Sequence, residues 1–141
     1  MPRDPKVRAQ MWQRISEFYW NFPRRCYKSY VKYLWATPPE QRDPTRVEQA
    51  KGEFLAEMDI WEGILRDKEG NPHFLFGDSF SMLDVIAFPW IAFFVGLGLK
   101  LEAKYEKLGA YYQFIKEWPS VKKFTPKRWD GSVDTTVLAH I

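Results

Sequence analysis

The segment Phe80-Ser81-Met82-Leu83-Asp84-Val85 stands directly before an apolar run, residues 86–95. Ser81 and Asp84 have the spacing of a capping box, in which each side chain accepts a hydrogen bond from the other residue's amide. Such a box satisfies two of the amides that lack partners at a helix start. Phe80 and Val85 flank the box in the positions of a hydrophobic staple. Because the run is apolar on nearly every side, the segment predicts a buried helix that is central to the fold.

Proline positions and apolar spacing predict a long helix before this segment. Asp4 followed by Pro5 is a typical helix start, because the aspartate caps free amides and the proline needs no partner there. Apolar residues recur every three or four positions from residue 7 to residue 34. Pro23 cannot donate a hydrogen bond to the Tyr19 carbonyl, so a kink is expected near it. Pro38 is expected to end the helix.

Four more helices are predicted, counting the capped one at Met82. Asp43 starts a helix whose apolar stripe runs to Leu65, and Glu57 is placed on its solvated face. The last two are a helix over residues 105–115 and a short one from Ser120 that turns Val121 and Phe124 inward. No repeat and no domain boundary is visible. Residues 1–141 are therefore expected to form a single all-α domain.

Composition excludes several classes of protein. The chain has 141 residues and one cysteine, Cys26, so it cannot form an intrachain disulfide. His73 and His140 are too few and too far apart to predict a metal cluster. The N-terminus lacks the apolar core of a signal peptide, and the apolar run 85–99 is short for a membrane span. A soluble cytoplasmic protein without a membrane partner is expected.

Positive charge is concentrated in the first 35 residues, which hold eight Lys or Arg and only two acidic residues. Such a segment could attract an anionic small molecule or nucleic acid; the alternative is a solvated helix face. Nucleic acid is not expected as a partner, since the tyrosines fall at helical core spacing and no reader motif is present.

Catalytic motifs are absent from the sequence: it contains no phosphate-binding glycine loop, no zinc motif and no serine triad. Asp84 could be a titrating acid, but a structural capping role is favoured by its spacing from Ser81. Cys26 could be activated by Arg24, Arg25 and Lys28, and the alternative is a buried, unreactive thiol. On chemistry alone, the chain is expected to be a binding or assembly domain.

Several segments resemble the C-terminal helical half of cytosolic glutathione transferases, over nearly the whole chain from the first helix to Trp129. The matching stretches are residues 61–65, the run 74–84 with its capping box, residues 105–108 with Tyr111-Tyr112, and Trp118-Pro119-Ser120-Val121-Lys122. Pro89 and the segment 119–122 are most similar to the rho class of fish and marine invertebrates. Phe76 and Leu83 depart from the family pattern and are expected to cause local repacking only.

The resemblance implies a five-helix orthogonal bundle and a missing partner. In such enzymes an N-terminal thioredoxin-like domain binds and activates glutathione, and nothing in this sequence fills that role. The chain is then expected to be a fragment, a truncated gene product or one chain of a split enzyme. Alone it would bind no cofactor and be inactive; glutathione would be the co-substrate once a thioredoxin-like domain is present.

The resemblance also implies the site and the partners. The helical half forms the wall of the hydrophobic co-substrate pocket and part of the dimer interface, which points to Tyr27, Tyr30, Leu34 and Trp118; plain core packing is the alternative for each. Arg24 and Arg25 could draw in the anionic tripeptide. Expected partners are hydrophobic small molecules and a second copy of the chain. The alternative function is a non-catalytic binding or protein-assembly module of the same fold.

Overall fold

The computed structural model describes residues 2–126 and 136–141, and all its regular elements are helical there. They are α1 (Pro5–Phe22), a π-helical segment (Pro23–Val31), α2 (Lys32–Ala36), a 3₁₀ turn (Pro39–Gln41), α3 (Pro44–Asp67), α4 (Met82–Gly96), α5 (Leu101–Lys104), α6 (Glu106–Lys116) and α7 (Pro119–Phe124). The predicted all-α class is confirmed. These residues form two compact units, 2–61 and 62–141, divided inside α3; the single domain expected over residues 1–141 stays a prediction.

The first helix starts as predicted and continues through its proline in a different form. Asp4 caps α1 by accepting a hydrogen bond from the Val7 amide at 2.9 Å. At Pro23 the backbone changes to π-helix, and Lys32 after the segment still donates to Tyr27, five residues back. In an α-helix the proline ring would clash with the carbonyl of Tyr19 four residues back, and the wider π turn gives that ring more room.

Core residues along this stretch explain the wider turns. Phe18, Phe22, Cys26, Tyr30 and Leu34 are spaced by four, and all five are buried. In an α-helix each step of four advances about 40° beyond a full turn, so Leu34 would stand about 160° away from Phe18. Insertion of a π-helical segment reduces this drift. The spacing of four therefore requires a helix wider than α over part of its length.

Unit 2–61 has an aromatic core that joins α1 and the π-helical segment to α3. Phe18 packs edge-on against Trp61 with ring centroids 4.9 Å apart, and Tyr30 packs against Phe54 at 5.8 Å. The prediction of a solvated Glu57 is wrong, because its side chain is 2% exposed. It is buried since Arg25 and Trp61 both donate hydrogen bonds to its carboxylate.

In unit 62–141 a distant side chain starts α6. The Glu62 carboxylate accepts hydrogen bonds from the Lys107 and Leu108 amides, both at 2.9 Å. Those amides are the ones an N-cap side chain normally satisfies, and the N-cap residue itself is Tyr105, which makes no such bond. Tyr111 is the fully buried tyrosine of α6, whereas Tyr112 is half-buried.

Two expectations near the C-terminus have different outcomes. Phe124 was predicted to point inward, and this is wrong: the ring is 76% exposed at the end of α7. Lys123 places its ammonium group 5.5 Å from the centre of that ring. A six-residue helix such as α7 has few positions to bury, and its aromatic end lies outside the core. Trp129, expected to belong to the resembling region, lies outside the described residues.

Replacing Glu62 with alanine tests the cap of α6. Loss of both backbone hydrogen bonds is expected to lower the free energy of unfolding by about 1–2 kcal/mol, as for an ordinary N-cap. Urea unfolding measures it as a shift of midpoint at constant slope. Glu106→Ala is the control, since that side chain is 86% exposed and its removal should change stability by less than about 0.5 kcal/mol. Equal shifts in the two variants would contradict the capping role.

Candidate functional site

Three of the four predicted pocket residues lie in unit 2–61, on the π-helical segment and α2. Tyr30 and Leu34 are buried, and Tyr27 is half-buried. Burial raises the pKa of the Tyr30 phenol, with a further rise from Glu48 and an opposing effect of Arg42. Among the three predicted residues of this unit, Tyr27 is thus the one whose side chain is not buried.

Trp35 extends the aromatic surface of Tyr27, and the sequence analysis missed it. The two rings meet edge-to-face with centroids 6.3 Å apart. Trp35 is 48% exposed. The signal was the spacing of eight residues from Tyr27, which is about two helical turns and places both rings on one side. Together the two rings form an aromatic surface that an apolar ligand could contact.

The outer side of α1 carries more exposed rings. Trp12, Tyr19 and Trp20 are between half and three-quarters exposed, and the last two pack edge-on at 5.5 Å. Apolar ring surface is therefore exposed along the first helix. Exposed aromatic surface of this kind is typical of protein interfaces.

A buried ion pair links the π-helical segment to α3. The Glu57 carboxylate accepts from Arg25 Nη1 at 3.0 Å and from Trp61 Nε1 at 2.9 Å. Glu57 is buried, while the Arg25 side chain is 36% exposed. Arg24 is exposed beside it. Of the two arginines that were expected to draw in an anion, Arg25 therefore already has a carboxylate partner within the chain.

Cys26 lies next to this ion pair and is shielded from solvent. Its thiol is fully buried, with the sulfur 4.0 Å from the Phe54 carbonyl oxygen. Burial raises the pKa of the thiol well above its usual range, the Glu57 carboxylate raises it further, and Arg25 opposes the rise. A neutral, buried thiol is a poor nucleophile. The structure thus favours the unreactive of the two alternatives.

The capping box of α4 is present in unit 62–141. Asp84 Oδ2 accepts from the Ser81 amide at 2.8 Å and from the Ser81 hydroxyl at 2.7 Å. The other oxygen, Oδ1, accepts from the Leu75 amide at 3.0 Å, so one carboxylate also fixes the preceding loop. The side chain is fully buried. Both carboxylate oxygens are thus occupied by donors of the chain, which supports the structural reading of Asp84 over the catalytic one.

Tyr111 lies against the same carboxylate. Its hydroxyl is buried, and no described residue lies in hydrogen-bonding geometry to it. The hydroxyl nevertheless interacts electrostatically with the Asp84 carboxylate. Burial raises the pKa of the phenol well above its usual range, and the Asp84 charge adds to this. Burial likewise raises the pKa of Asp84, against the lowering effect of its bonds to Leu75 and Ser81. Both groups therefore resist carrying a negative charge.

Trp118, the fourth predicted pocket residue, lies beside an apolar cavity in unit 62–141. Its ring stacks on Phe80, with centroids 5.3 Å apart and planes 8° from parallel. Phe80 lines a cavity of about 260 Å³ whose walls come from α4, α7 and the residues that follow it. Val85 and Phe124 also line this cavity. Trp118 is not among the residues that line the cavity and adjoins it through its stacking on Phe80.

Residues 2–126 and 136–141 contain neither a metal-binding cluster nor a membrane-spanning helix. That part of the chain has no group of three or more His, Cys, Asp or Glu side chains that could hold a metal ion. None of its helices combines the length and apolar character that a membrane crossing requires.

Comparison with known proteins identifies the family. Residues 44–114, half of the chain, match the family model described as "Glutathione S-transferase, C-terminal domain". The chain belongs to this family. The match covers α3, α4, α5 and most of α6, and therefore includes both the buried Glu57 and the capping box of Ser81 and Asp84.

Two relatives extend the similarity beyond the matched region of this glutathione S-transferase domain. "Glutathione S-transferase A" of Pleuronectes platessa is 34% identical over 129 residues, which are 92% of this chain and 55% of that protein. A crystal structure of a glutathione S-transferase from the Antarctic clam Laternula elliptica superposes with a TM-score of 0.88 and 26% identity, over 99% of this chain and 61% of the clam protein. The chain thus spans between half and two-thirds of the length of these relatives.

Replacing Asp84 with asparagine tests the capping box of this glutathione S-transferase domain. At neutral pH the change is expected to lower the free energy of unfolding by about 1–3 kcal/mol, because the amide nitrogen of asparagine cannot accept the bonds from Ser81.

The same variant has an expected pH dependence. Since the pKa of Asp84 is raised in the folded state, the folded chain binds its proton more tightly than the unfolded chain does. The Asp84 contribution is therefore fully present below the unfolded pKa of about 3.9 and declines as pH rises through the folded pKa. The wild-type advantage over Asp84→Asn should be larger at pH 3.5 than at pH 7 in urea titrations. An advantage that grows with pH would contradict the raised pKa.

Proposed function

We propose that the chain is the helical half of a glutathione transferase and that it forms the hydrophobic wall of the electrophile site and part of the dimer interface. The observation that carries the proposal is the aromatic surface of Tyr27 and Trp35 in a domain of this family. It lies on the stretch of helix where the family resemblance implies the pocket wall. Tyr30 and Leu34, the other two residues implied by the resemblance on this stretch, are buried, and Tyr30 packs against Phe54.

In the complete enzyme, a glutathione thiolate would attack an electrophile, with a thioredoxin-like domain activating the thiol. The helical half would exclude water from the electrophile and hold it in line with the thiolate, which is where aromatic and aliphatic walls contribute to such reactions. Trp118 would take part if the cavity beside it accepts a portion of the electrophile. Glutathione is then a co-substrate held mainly outside this chain.

The proposal includes the rho class, a homodimer and a cytoplasmic location. Pro89 and the segment 119–122 support the class, and so does the source of the relatives, a fish and a marine clam. The exposed rings of Trp12, Tyr19 and Trp20 support dimerisation, since interfaces are enriched in aromatic residues. The alternative of a non-catalytic assembly module has no observation in its favour, and both relatives are named as transferases.

A conjugation assay on the isolated chain tests the division of labour. With glutathione and a chromogenic chloronitrobenzene, the chain alone is expected to give no turnover above the uncatalysed rate, because its described residues include no group placed to activate a thiol. Adding a thioredoxin-like domain from a related transferase, fused before the chain, should produce turnover. Activity of the isolated chain would overturn the proposal that glutathione is activated outside it.

Tyr27→Ala tests the aromatic wall with an anilinonaphthalene sulfonate dye as the apolar ligand. Removal of the ring is expected to weaken dye binding by about threefold to tenfold, because an aromatic contact contributes about 0.5–1.5 kcal/mol beyond its buried area. Fluorescence titration measures the affinity. Tyr19→Ala, which removes an exposed ring of α1, is the matched control and should change affinity less than twofold. A larger effect of Tyr19→Ala would place the dye on α1 instead.

A further inference from the structure

The π-helical segment Pro23–Val31 needs support from outside its own backbone. A π-helix of nine residues is uncommon, since most π turns occur singly. Pro23 supplies no donor, and within the segment the Ser29 hydroxyl donates to the Arg24 carbonyl at 3.0 Å. This bond spans five residues, as the π turns do, but it joins two residues within the segment and does not tie the segment to another element. Contacts with α3 are therefore needed to hold the segment in its π-helical form.

Glu57 presents to the segment a carboxylate that is oriented by its own helix. Its Oε1 atom accepts from Trp61 Nε1, one turn further along α3, at 2.9 Å. Trp61 is itself held by the edge-on contact with Phe18. The other oxygen, Oε2, is thereby directed to Arg25, at 3.0 Å. The position of the Glu57 carboxylate is therefore fixed by contacts that do not involve the π-helical segment.

A buried carboxylate in this position constrains the register of the helix beside it. A charge that is out of water is tolerated only while its partner stays in place. Relaxation of residues 23–31 to α-helix would turn the side chains after Pro23 progressively about the helix axis, because an α turn holds fewer residues. Arg25 would then move away from Glu57. Buried polar groups that specify a register are known to act in this way.

We propose that the Arg25–Glu57 ion pair holds residues 23–31 in π-helical register and thereby fixes Tyr27, which makes Glu57 a positioning residue for the aromatic wall. The second part rests on the proposed function. Tyr27 follows Arg25 by two residues, and its ring meets Trp35 beyond the end of the segment. A loss of register would therefore separate these two rings without removing either.

Cys26 provides a direct probe of the segment, because it is the only cysteine of the chain and its thiol is fully buried there. Glu57→Gln keeps an acceptor for Trp61 but removes the charge that binds Arg25. The rate of modification of Cys26 by an aromatic disulfide reagent is expected to rise at least tenfold. Because only a local opening is involved, the rate should depend weakly on dilute urea, whereas exposure by global unfolding depends on it strongly.

Two controls isolate the effect of the ion pair. Glu53→Gln removes the same charge one turn earlier on α3, where the carboxylate has no hydrogen bond or ion pair among the described residues, and the thiol rate should stay within twofold of wild type. Since the Glu57 charge also raises the pKa of Cys26, rates are compared across pH. A change of pKa moves the profile along the pH axis, while an opening raises the rate at every pH.

The dye affinity then connects the segment to the aromatic wall. Glu57→Gln should weaken binding of the anilinonaphthalene sulfonate dye at least threefold, and Glu53→Gln should leave it unchanged. If Glu57→Gln does not fold, Arg25→Lys takes its place, because it keeps the positive charge but loses the planar donor group. Its thiol rate is expected to lie between those of wild type and a fully opened segment.

The outcomes separate this proposal from the proposed function. A faster thiol reaction together with weaker dye binding supports it. An unchanged thiol rate overturns it, and so does a faster rate with unchanged dye affinity in a chain that binds the dye. A wild-type chain that binds no dye overturns the proposed function and the role of Glu57 in it, while the thiol rate still decides whether the ion pair holds the π-helical register.

Discussion

The Asp84 carboxylate is the interaction on which unit 62–141 depends. Two oxygens accept three hydrogen bonds, from the Ser81 amide, the Ser81 hydroxyl and the Leu75 amide. The first two start α4, and the third holds the loop before it. Because the carboxylate is fully buried, each of these donors would be left without a partner if it were lost. One side chain therefore fixes both a helix start and the path of the chain into it.

Unit 2–61 depends on a second buried carboxylate, that of Glu57, whose oxygens also accept hydrogen bonds from the chain. Glu57 also has both oxygens occupied, by Trp61 from its own helix and by Arg25 from the neighbouring segment. The two sites differ in the charge of their donors. Neutral donors surround Asp84, and burial there raises its pKa. Glu57 has a guanidinium partner, so its site depends on the position of one flexible side chain and on the helix that carries it.

Whether these carboxylate contacts could be predicted from the sequence depends on how far apart the hydrogen-bonded residues are along the chain. Ser81 and Asp84 are three residues apart, and the box could be read directly because its geometry is local. Arg25 and Glu57 are 32 residues apart, and a glutamate at a polar helix position gives no sign that an arginine will cover it. The same holds for Glu62, which caps a helix 45 residues later. Sequence periodicity places helices but does not reveal the contacts between them.

The π-helical segment lies between these two cases, because the spacing of its buried residues could be read from the sequence although its helix type was not predicted. A core spacing of four from Phe18 to Leu34 is too long for an α-helix, and this mismatch could have been calculated. The proline at residue 23 indicated a local disturbance but not its form. Phe124 shows the opposite error, because a helical period was extended to a helix too short to bury its last residue.

The burial of these polar side chains also determines what this chain can contribute to a reaction. The two buried carboxylates in the described part of the chain, those of Glu57 and Asp84, have their oxygens occupied by donors of the chain itself, and the buried thiol of Cys26 has a raised pKa. Groups in such environments stabilise structure and do not transfer protons or attack substrates. What the described residues offer to a ligand is ring surface, and the position of Tyr27 within that surface follows from how the helix beneath it is wound. In this domain, selectivity for a ligand would thus arise from backbone register and packing.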